Sequence, residues 1–353
     1  MNDHRAKKFS DVITFGFWIR KSSVIKLKER FQKRDNYYRL GRGVAFHIAP
    51  SNVPVNFAYS LVAGLLMGNA NIVRVSGRDY EQVDIIADAI NKVLDDKKHM
   101  KPYIVLVRYQ RDMTINDYFS SIADTRIIWG GDETIREIRK SPLSSRSTEI
   151  SFAERYSLAV IDSDVYMEIE EKKQVASDFY NDTYLMDQNA CTSPKIVIWI
   201  GSRKEEAKKL FWEELHKLVE KKYSFQSIQA INKLTSSYLT AIYEPGAKVK
   251  KHRDNYVIRV SVDKLMNGLM DIKENGGFFW EYDCDDILEL KNICDNKRCQ
   301  TIAILGDADV LKPLLKSGIS GIDRIVPIGK TLDFDLIWDG YDLTAYLTRI
   351  IAI

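Results

Sequence analysis

Val44-Ala45-Phe46-His47-Ile48-Ala49-Pro50-Ser51-Asn52-Val53-Pro54 is the stretch from which the fold is read. Val44 to Ile48 reads as a buried strand, and two prolines then stiffen the turn that follows it. Val55 to Met67 has helical periodicity, and Asn71-Ile72-Val73-Arg74-Val75 is a second strand. A strand, a turn, a helix and a strand in this order predict a parallel, doubly wound α/β sheet. Open sheets of this kind bind ligands beyond the C-terminal ends of their strands. Ile48, Ala49 and Pro50 are therefore expected to border a cofactor, and Asn52, held between prolines, offers a fixed amide donor. Pro and Asn are also ordinary turn residues, so the turn by itself leaves both readings open.

The alternation continues outward. Tyr80 to Leu94 reads as a helix with Val83, Ile86 and Ile90 on one face. Tyr103 to Val107 and Arg126 to Trp129 read as further strands, the last followed by a helix from about Asp132. Upstream, Phe9, Val12, Ile13 and Phe17 fall at helical spacing, weakened by Gly16, and a basic helical stretch covers Val24 to Phe31. A second theme starts near Ser151. It holds a strand at Leu158 to Ile161, a polar helix over Val165 to Tyr184, and a strand at Lys195 to Ile200 closed by Gly201. Two helices follow, then strands at Tyr256 to Val260, Phe278 to Tyr282 and Thr301 to Leu305. The expected division is a dinucleotide-binding domain with N-terminal helices over residues 1–150 and a catalytic domain over 151–325. Residues 326–353 are expected to return toward the first domain or an oligomer interface.

The bulk composition narrows the function classes. Of 353 residues 45% are hydrophobic, enough for two cores. The net charge of +3 gives no general pull toward nucleic acid or an anionic membrane. No apolar run reaches the ~18 residues of a membrane span, and no signal peptide is read, so a cytoplasmic enzyme is expected. Cys284, Cys294 and Cys299 lack a Cys-x-x-Cys pair, and the nearest upstream histidine is His252. They are expected to be packed or surface thiols, with no metal.

Three further places carry chemistry. Cys191, in Asp187-Gln188-Asn189-Ala190-Cys191-Thr192-Ser193-Pro194, lies between a helix and an apolar strand. There a thiol can be exposed and activated by backbone N–H groups, or simply packed. In Arg74-Val75-Ser76-Gly77-Arg78, two arginines stand at a strand end, where they suit a 2′-phosphate or are merely solvated. In Trp129-Gly130-Gly131-Asp132, glycines admit a cofactor to the backbone, while Asp132 is equally a plain helix N-cap. No Gly-x-Gly-x-x-Gly follows any strand, which excludes the ordinary dinucleotide fingerprint.

Taken in order, these motifs resemble the aldehyde dehydrogenase superfamily and, more closely, the LuxC-type acyl-CoA (acyl-protein thioester) reductase family. The resemblance covers almost the whole chain. It includes His47 to Pro54, Gly68-Asn69-Ala70-Asn71-Ile72-Val73-Arg74, Trp129 to Asp132, Gly321 to Lys330 and Trp338-Asp339-Gly340. It implies an aldehyde-dehydrogenase-like α/β fold, Cys191 as nucleophile and Asn52 as an oxyanion donor. Arg74 then replaces the usual lysine at the adenosine ribose, with Ser76 and Arg78 beside it. Gly77 stands where NAD-preferring members often carry glutamate, which favours NADP(H). Gly130 and Gly131 would face the cofactor.

At the position of the hydrolytic base the best register puts Ser151, with Glu154 as a displaced alternative. The implied reaction is NADPH-dependent reduction of a fatty acyl thioester, from acyl-CoA or an acylated protein, to an aldehyde through an acyl-cysteine. An acyl-protein synthetase partner and a homo-oligomer are implied with it. The rivals are a cysteine acyltransferase or thioesterase, an NAD(P)-dependent aldehyde dehydrogenase, and a non-enzymatic scaffold. His47, near the first turn, reads as a core histidine rather than a proton carrier.

Overall fold

The computed structural model describes residues 3–32, 37–224, 226–244, 246–251, 254–266, 268–271 and 274–352. His252 lies outside the described residues. The chain forms two compact units, one of residues 1–154 with 334–353 and one of residues 155–333.

The first unit opens with helices α1 (Ser10–Trp18) and α2 (Lys21–Gln32). Gly16 is accommodated inside α1, because Val12 and Phe15 bury the face that holds the helix. Strands β1 (Tyr38–Gly41), β2 (Val44–Ile48), β3 (Ala70–Arg74), β4 (Ile104–Val107), β5 (Thr125–Trp129) and β6 (Thr148–Phe152) follow. Between them lie α3 (Asn56–Leu66), α4 (Glu81–Asp96), α5 (Met113–Ile122) and α6 (Asp132–Ile138). Five strands make one parallel sheet in the order β4-β3-β2-β5-β6. The order reverses direction between β2 and β5, so the loops after those strands flank a topological switch point.

Two expectations are corrected here. The theme change at Ser151 falls inside β6, whose residues pair with β5 from Thr125↔Thr148 to Trp129↔Phe152. That pairing, and the stacking of Phe152 on Trp129 at 3.7 Å, carries residues 151–154 into the first unit. Asp132 is not an N-cap: Gly131 caps α6, and Asp132 lies in its first turn, where its charge meets the positive helix end.

The second unit holds β7 (Tyr156–Asp162), β8 (Pro194–Ile200), β9 (Lys248–Lys251), β10 (Ile258–Ser261), β11 (Phe278–Asp283), β12 (Cys299–Leu305) and β13 (Arg324–Pro327). Their order is β13-β12-β7-β8-β11-β10-β9, parallel except for β9. The central strands are buried on both faces, as continuous apolar runs such as Ile196-Val197-Ile198-Trp199 require. The polar helix expected over Val165 to Tyr184 is two helices, α7 (Ser163–Glu168) and α8 (Lys172–Thr183). Asp162 caps α7 through the N–H groups of Asp164 and Val165, and the chain then leaves helical geometry at Ile169. The long helices α9 (Lys204–Lys222) and α10 (Ser227–Tyr243) complete the outer layer.

Residues 326–333 belong to this second unit, not to the returning segment. The Asp182 carboxylate accepts the N–H groups of Gly329 at 2.6 Å and Thr331 at 3.0 Å. Arg324 donates to the carbonyls of Lys330, Thr331 and Asp333, and Asp323 pairs with Arg155. The return begins at Phe334. Strands β14 (Ile337–Trp338) and β15 (Tyr341–Asp342) form a hairpin through Asp339 (φ 50°) and Gly340 (φ 74°), the left-handed pair that a two-residue type I′ turn demands. Strand β16 (Thr348–Ile351) pairs antiparallel with β1. Asn69 fixes the tail, its amide donating to the Leu347 carbonyl at 2.9 Å while its oxygen accepts the Gly43 N–H at 3.1 Å.

Among the described residues no helix is long and apolar enough to cross a membrane.

Candidate active site

In the first unit, three strand ends meet at the switch point. After β2, Pro50 is half-buried, whereas Ser51 and Asn52 are exposed. Ile48 buries its side chain in the core, so only its backbone is left to meet a ligand. The Ala49 N–H is taken by the Arg74 carbonyl at 3.0 Å.

After β3, the Arg74 guanidinium lies 4.6 Å over the Tyr109 ring, a cation–π contact that holds it at the sheet edge. Tyr109 donates to Asn116 at 2.7 Å, and burial raises its phenol to about 12, so it stays neutral. Ser76 is buried, and its hydroxyl accepts the Arg78 N–H at 3.1 Å, which shapes the turn. Nothing lies within 4 Å of where a Cβ on Gly77 would sit, and the same holds at Gly131. Asp79 and Asp84 are engaged by Arg108, at 3.3 and 3.2 Å. After β5, the Gly130 N–H donates to the Phe152 carbonyl at 3.1 Å.

His47 is a structural residue. Its Nδ1 lies 2.7 Å from Ser60 Oγ and its Nε2 2.9 Å from Asn71 Oδ1. Ser60 also accepts the Trp129 indole N–H at 3.1 Å, and Asn71 donates to the Asn69 carbonyl at 2.7 Å. A neutral imidazole with its proton on Nε2 satisfies every group in this chain. Burial lowers its pKa to about 4, against the opposing Asn71 hydrogen bond.

In the second unit, Cys191 precedes the N-terminal end of β8, half-buried. The loop that carries it leaves α8 through Asp187 and Gln188, both left-handed at φ 49° and 58°. Non-glycine residues pay for that conformation, so surrounding bonds must impose it. Gln188 supplies them. Fully buried, it donates to the carbonyls of Pro194 at 2.9 Å and Phe278 at 3.1 Å, and it accepts the N–H groups of Gly277 at 3.0 Å and Phe278 at 3.3 Å. Asp187 is held by the Gly276 N–H at 3.1 Å and the Tyr223 hydroxyl at 2.6 Å. Lys195 donates to the carbonyls of Gln188 and Glu274 and to Asn275, whose amide reaches Asn189 at 2.7 Å. Ser157 donates to the Cys191 carbonyl at 2.7 Å.

A cysteine so placed is fixed by rigid elements on both sides yet only half-buried. Gln188 lies in the stretch quoted around the cysteine, but its anchoring role was not read from the sequence. Lys195, Asn275, Ser157 and Tyr109 carry no local signal, because their partners are far off in sequence.

The other cysteines are packed. Cys284, Cys294 and Cys299 are buried, with the Cys299 thiol 3.9 Å from Cys294. Burial raises Cys284 to about 12. Among the described residues no group of His, Cys, Asp and Glu is placed to hold a metal. Ser151 lies in β6, where its hydroxyl accepts from Arg139 at 3.3 Å, and Glu154 is exposed.

A family model described as acyl-CoA reductase (LuxC) matches residues 24–350. The long-chain acyl-protein thioester reductase of Aliivibrio fischeri is 26% identical over 343 residues, which is 94% of this chain and 68% of that protein. The protein of that name from Photorhabdus luminescens is 24% identical over 86% of this chain and 62% of its own length. Among solved structures, a putative aldehyde dehydrogenase PutA from Anabaena variabilis superposes with a TM-score of 0.65 at 14% identity, covering 97% of this chain and 79% of that one. Lactaldehyde dehydrogenase from Escherichia coli does so with a TM-score of 0.63 at 13% identity, covering 97% and 78%. At such identities the likeness is one of fold, and that fold is the aldehyde-dehydrogenase-like α/β architecture.

Proposed function

Because this chain belongs to the acyl-CoA reductase (LuxC) family, we propose that it reduces a fatty acyl thioester to the aldehyde through an acyl-cysteine on Cys191. The observation that carries the reading is the Gln188-anchored loop, in which four buried hydrogen bonds hold the segment that bears the half-buried Cys191. The relatives' printed name points to an acylated protein as donor, and acyl-CoA offers the same thioester. An acyl-protein synthetase as partner follows from the same reading.

The Cys191 thiolate attacks the thioester carbonyl. The C–S bond to Cys191 forms, the carrier thiol departs with a proton, and the acyl group stays on the enzyme. The family resemblance assigns the oxyanion to the Cys191 backbone N–H and, as a second donor, to the Asn52 amide, a donor of this kind being typically worth ~2.7–4 kcal/mol.

A nicotinamide cofactor fits the strand ends of the first unit. The open positions at Gly77 and Gly131 leave the backbone approachable, and Arg74 and Arg78 suit the 2′-phosphate of NADPH. NADPH, when bound, supplies the hydride. The resulting thiohemiacetal oxyanion re-forms its carbonyl, breaks the bond to Cys191 and releases aldehyde and thiolate.

On the register that puts Ser151 at the position of the hydrolytic base, no basic side chain stands there to activate water, so on this reading the acyl-cysteine persists until reduction, whereas Glu154 in that role would release free acid. Its persistence distinguishes this reading from thioester hydrolysis and from aldehyde oxidation, which both need such a base.

The test is to incubate the protein with radiolabelled long-chain acyl-CoA and then add NADPH. Label should attach to the wild-type protein, discharge as aldehyde, and be absent from Cys191→Ser. Release as free acid without cofactor would instead identify a thioesterase.

A further inference from the structure

Arg74, at the end of β3, is held without being neutralised. Its guanidinium lies 4.6 Å over the Tyr109 ring. Among the described residues none gives it a carboxylate or another hydrogen-bond acceptor. The π face attracts the cation but uses none of its five N–H donors. The neighbouring Arg108 differs. It is engaged by Asp79 at 3.3 Å and by Asp84 at 3.2 Å, so its charge is already answered within the protein.

The Tyr109 ring is itself fixed. Arg74 pairs with Val107 across β3 and β4, and Tyr109 stands two residues beyond that pair. Its hydroxyl donates to the Asn116 oxygen at 2.7 Å, and Asn116 is buried in the first turn of α5. The ring lies 6.1 Å from Phe119, which in turn meets Phe46 of β2 at 5.4 Å. A chain of rings thus runs from the sheet to the guanidinium. A long side chain held in this way gives up little freedom when an anion arrives.

We propose that Tyr109 is the positioning residue for the 2′-phosphate of the cofactor, its ring presenting the Arg74 guanidinium with every donor uncommitted. The proposal rests on the reading of Arg74 as the 2′-phosphate ligand. The choice of an aromatic group has a physical reason. A carboxylate beside Arg74 would hold it equally well, but it would cancel the charge and repel a phosphate. A ring holds the cation and carries no net charge, so the whole positive charge is left for the ligand.

Equilibrium binding reads this without turnover. Calorimetric titration with adenosine 2′,5′-bisphosphate and with 5′-AMP isolates the 2′-phosphate, the only group by which the two ligands differ. The wild type is expected to prefer the bisphosphate. Tyr109→Leu is expected to lose about tenfold of that preference, the usual strength of a cation–π contact, with 5′-AMP binding unchanged. Tyr109→Phe keeps the ring and is expected to keep the preference to within about threefold, having lost one hydrogen bond that does not touch the ligand. A tyrosine ultraviolet difference spectrum reads the same contact even where Tyr109→Leu folds poorly. It is expected when the wild type meets the bisphosphate, and to be absent with 5′-AMP and in Tyr109→Phe.

A wild type that binds both ligands equally removes the 2′-phosphate reading itself. Where the wild type does discriminate, four results overturn the role of Tyr109 and leave NADPH as the proposed cofactor. They are an undiminished preference in Tyr109→Leu, an equal loss of both ligands (an adenosine contact), a Tyr109→Phe protein as impaired as Tyr109→Leu, and bisphosphate binding without the tyrosine signal.

Discussion

In the five-stranded unit the candidate cofactor residues follow the C-terminal ends of β2, β3 and β5, whereas in the seven-stranded unit Cys191 precedes the N-terminal end of β8. The first placement follows from topology alone. Where strand order reverses, neighbouring loops diverge and leave a crevice. The second owes nothing to a crevice of that kind. It is built by a buried side chain, Gln188, which substitutes its own hydrogen bonds for secondary structure around two left-handed residues. Strand order alone thus opens a crevice in the first unit, whereas the loop that bears Cys191 in the second is held by a dedicated anchor.

Replacing that anchor gives the largest expected effect. Gln188→Ala leaves four buried groups unpaired, at ~1–3 kcal/mol each before relaxation. The second unit should lose about 3–5 kcal/mol in denaturant unfolding, and single-turnover acylation of Cys191 should slow by ~10²-fold or more. Acylation at the wild-type rate would show that the loop needs no anchor.

Asn52→Ala, in an exposed turn, should leave melting unchanged while lowering kcat by about 10²–10³-fold. A loss of stability without a kinetic defect would make Asn52 a turn residue only.

Acid should separate the two units by opposite slopes. The unfolded His47 imidazole binds its proton near 6.5, the folded one only near 4, so the unfolded state holds more protons between those values. The first unit therefore loses stability as pH falls from 6.5 to 4, by on the order of 3 kcal/mol. Burial raises Asp182 from 3.8 to about 6, so in the second unit the folded state holds more protons and gains stability as pH falls from 6 to 3.8. Calorimetry across this range should show the two transitions moving apart. His47→Gln should flatten the first slope and Asp182→Asn the second.

Gly77→Glu should reverse cofactor preference by ~10–100-fold, about 1.4–2.7 kcal/mol, through repulsion of a 2′-phosphate. No steric cost accompanies it, because the space beside Gly77 is open. KM for NADPH and NADH measures the change. Ser157→Ala removes one bond to the Cys191 carbonyl and should slow acylation only a few-fold, about 1 kcal/mol.

Much of the first unit was legible because its strands are short apolar runs between helices of clear period, and the Pro50–Pro54 turn marks the C-terminal end of its central strand. Strand β6 was not read because Thr148-Glu149-Ile150-Ser151-Phe152 alternates weakly and is defined by pairing with β5. The β1–β16 pairing joins residues more than three hundred positions apart and has no local signature. At the candidate site Cys191 stands out by its place between a helix and an apolar strand, but Gln188, Lys195, Asn275 and Ser157 matter through partners that only folding brings near.

The sequence by itself determined the periods, the turns and the order of motifs, because these depend on neighbours a few residues away. Which side of a periodic helix turns inward is decided by what the rest of the chain offers. In α10 the apolar stripe is plain from residue spacing, yet the structure buries Lys233 and exposes the isoleucines. The carbonyls of Gly276 and Asn255 accept a donor reaching in from that helix. These bonds join the helix to distant backbone groups, which no local window of the sequence contains.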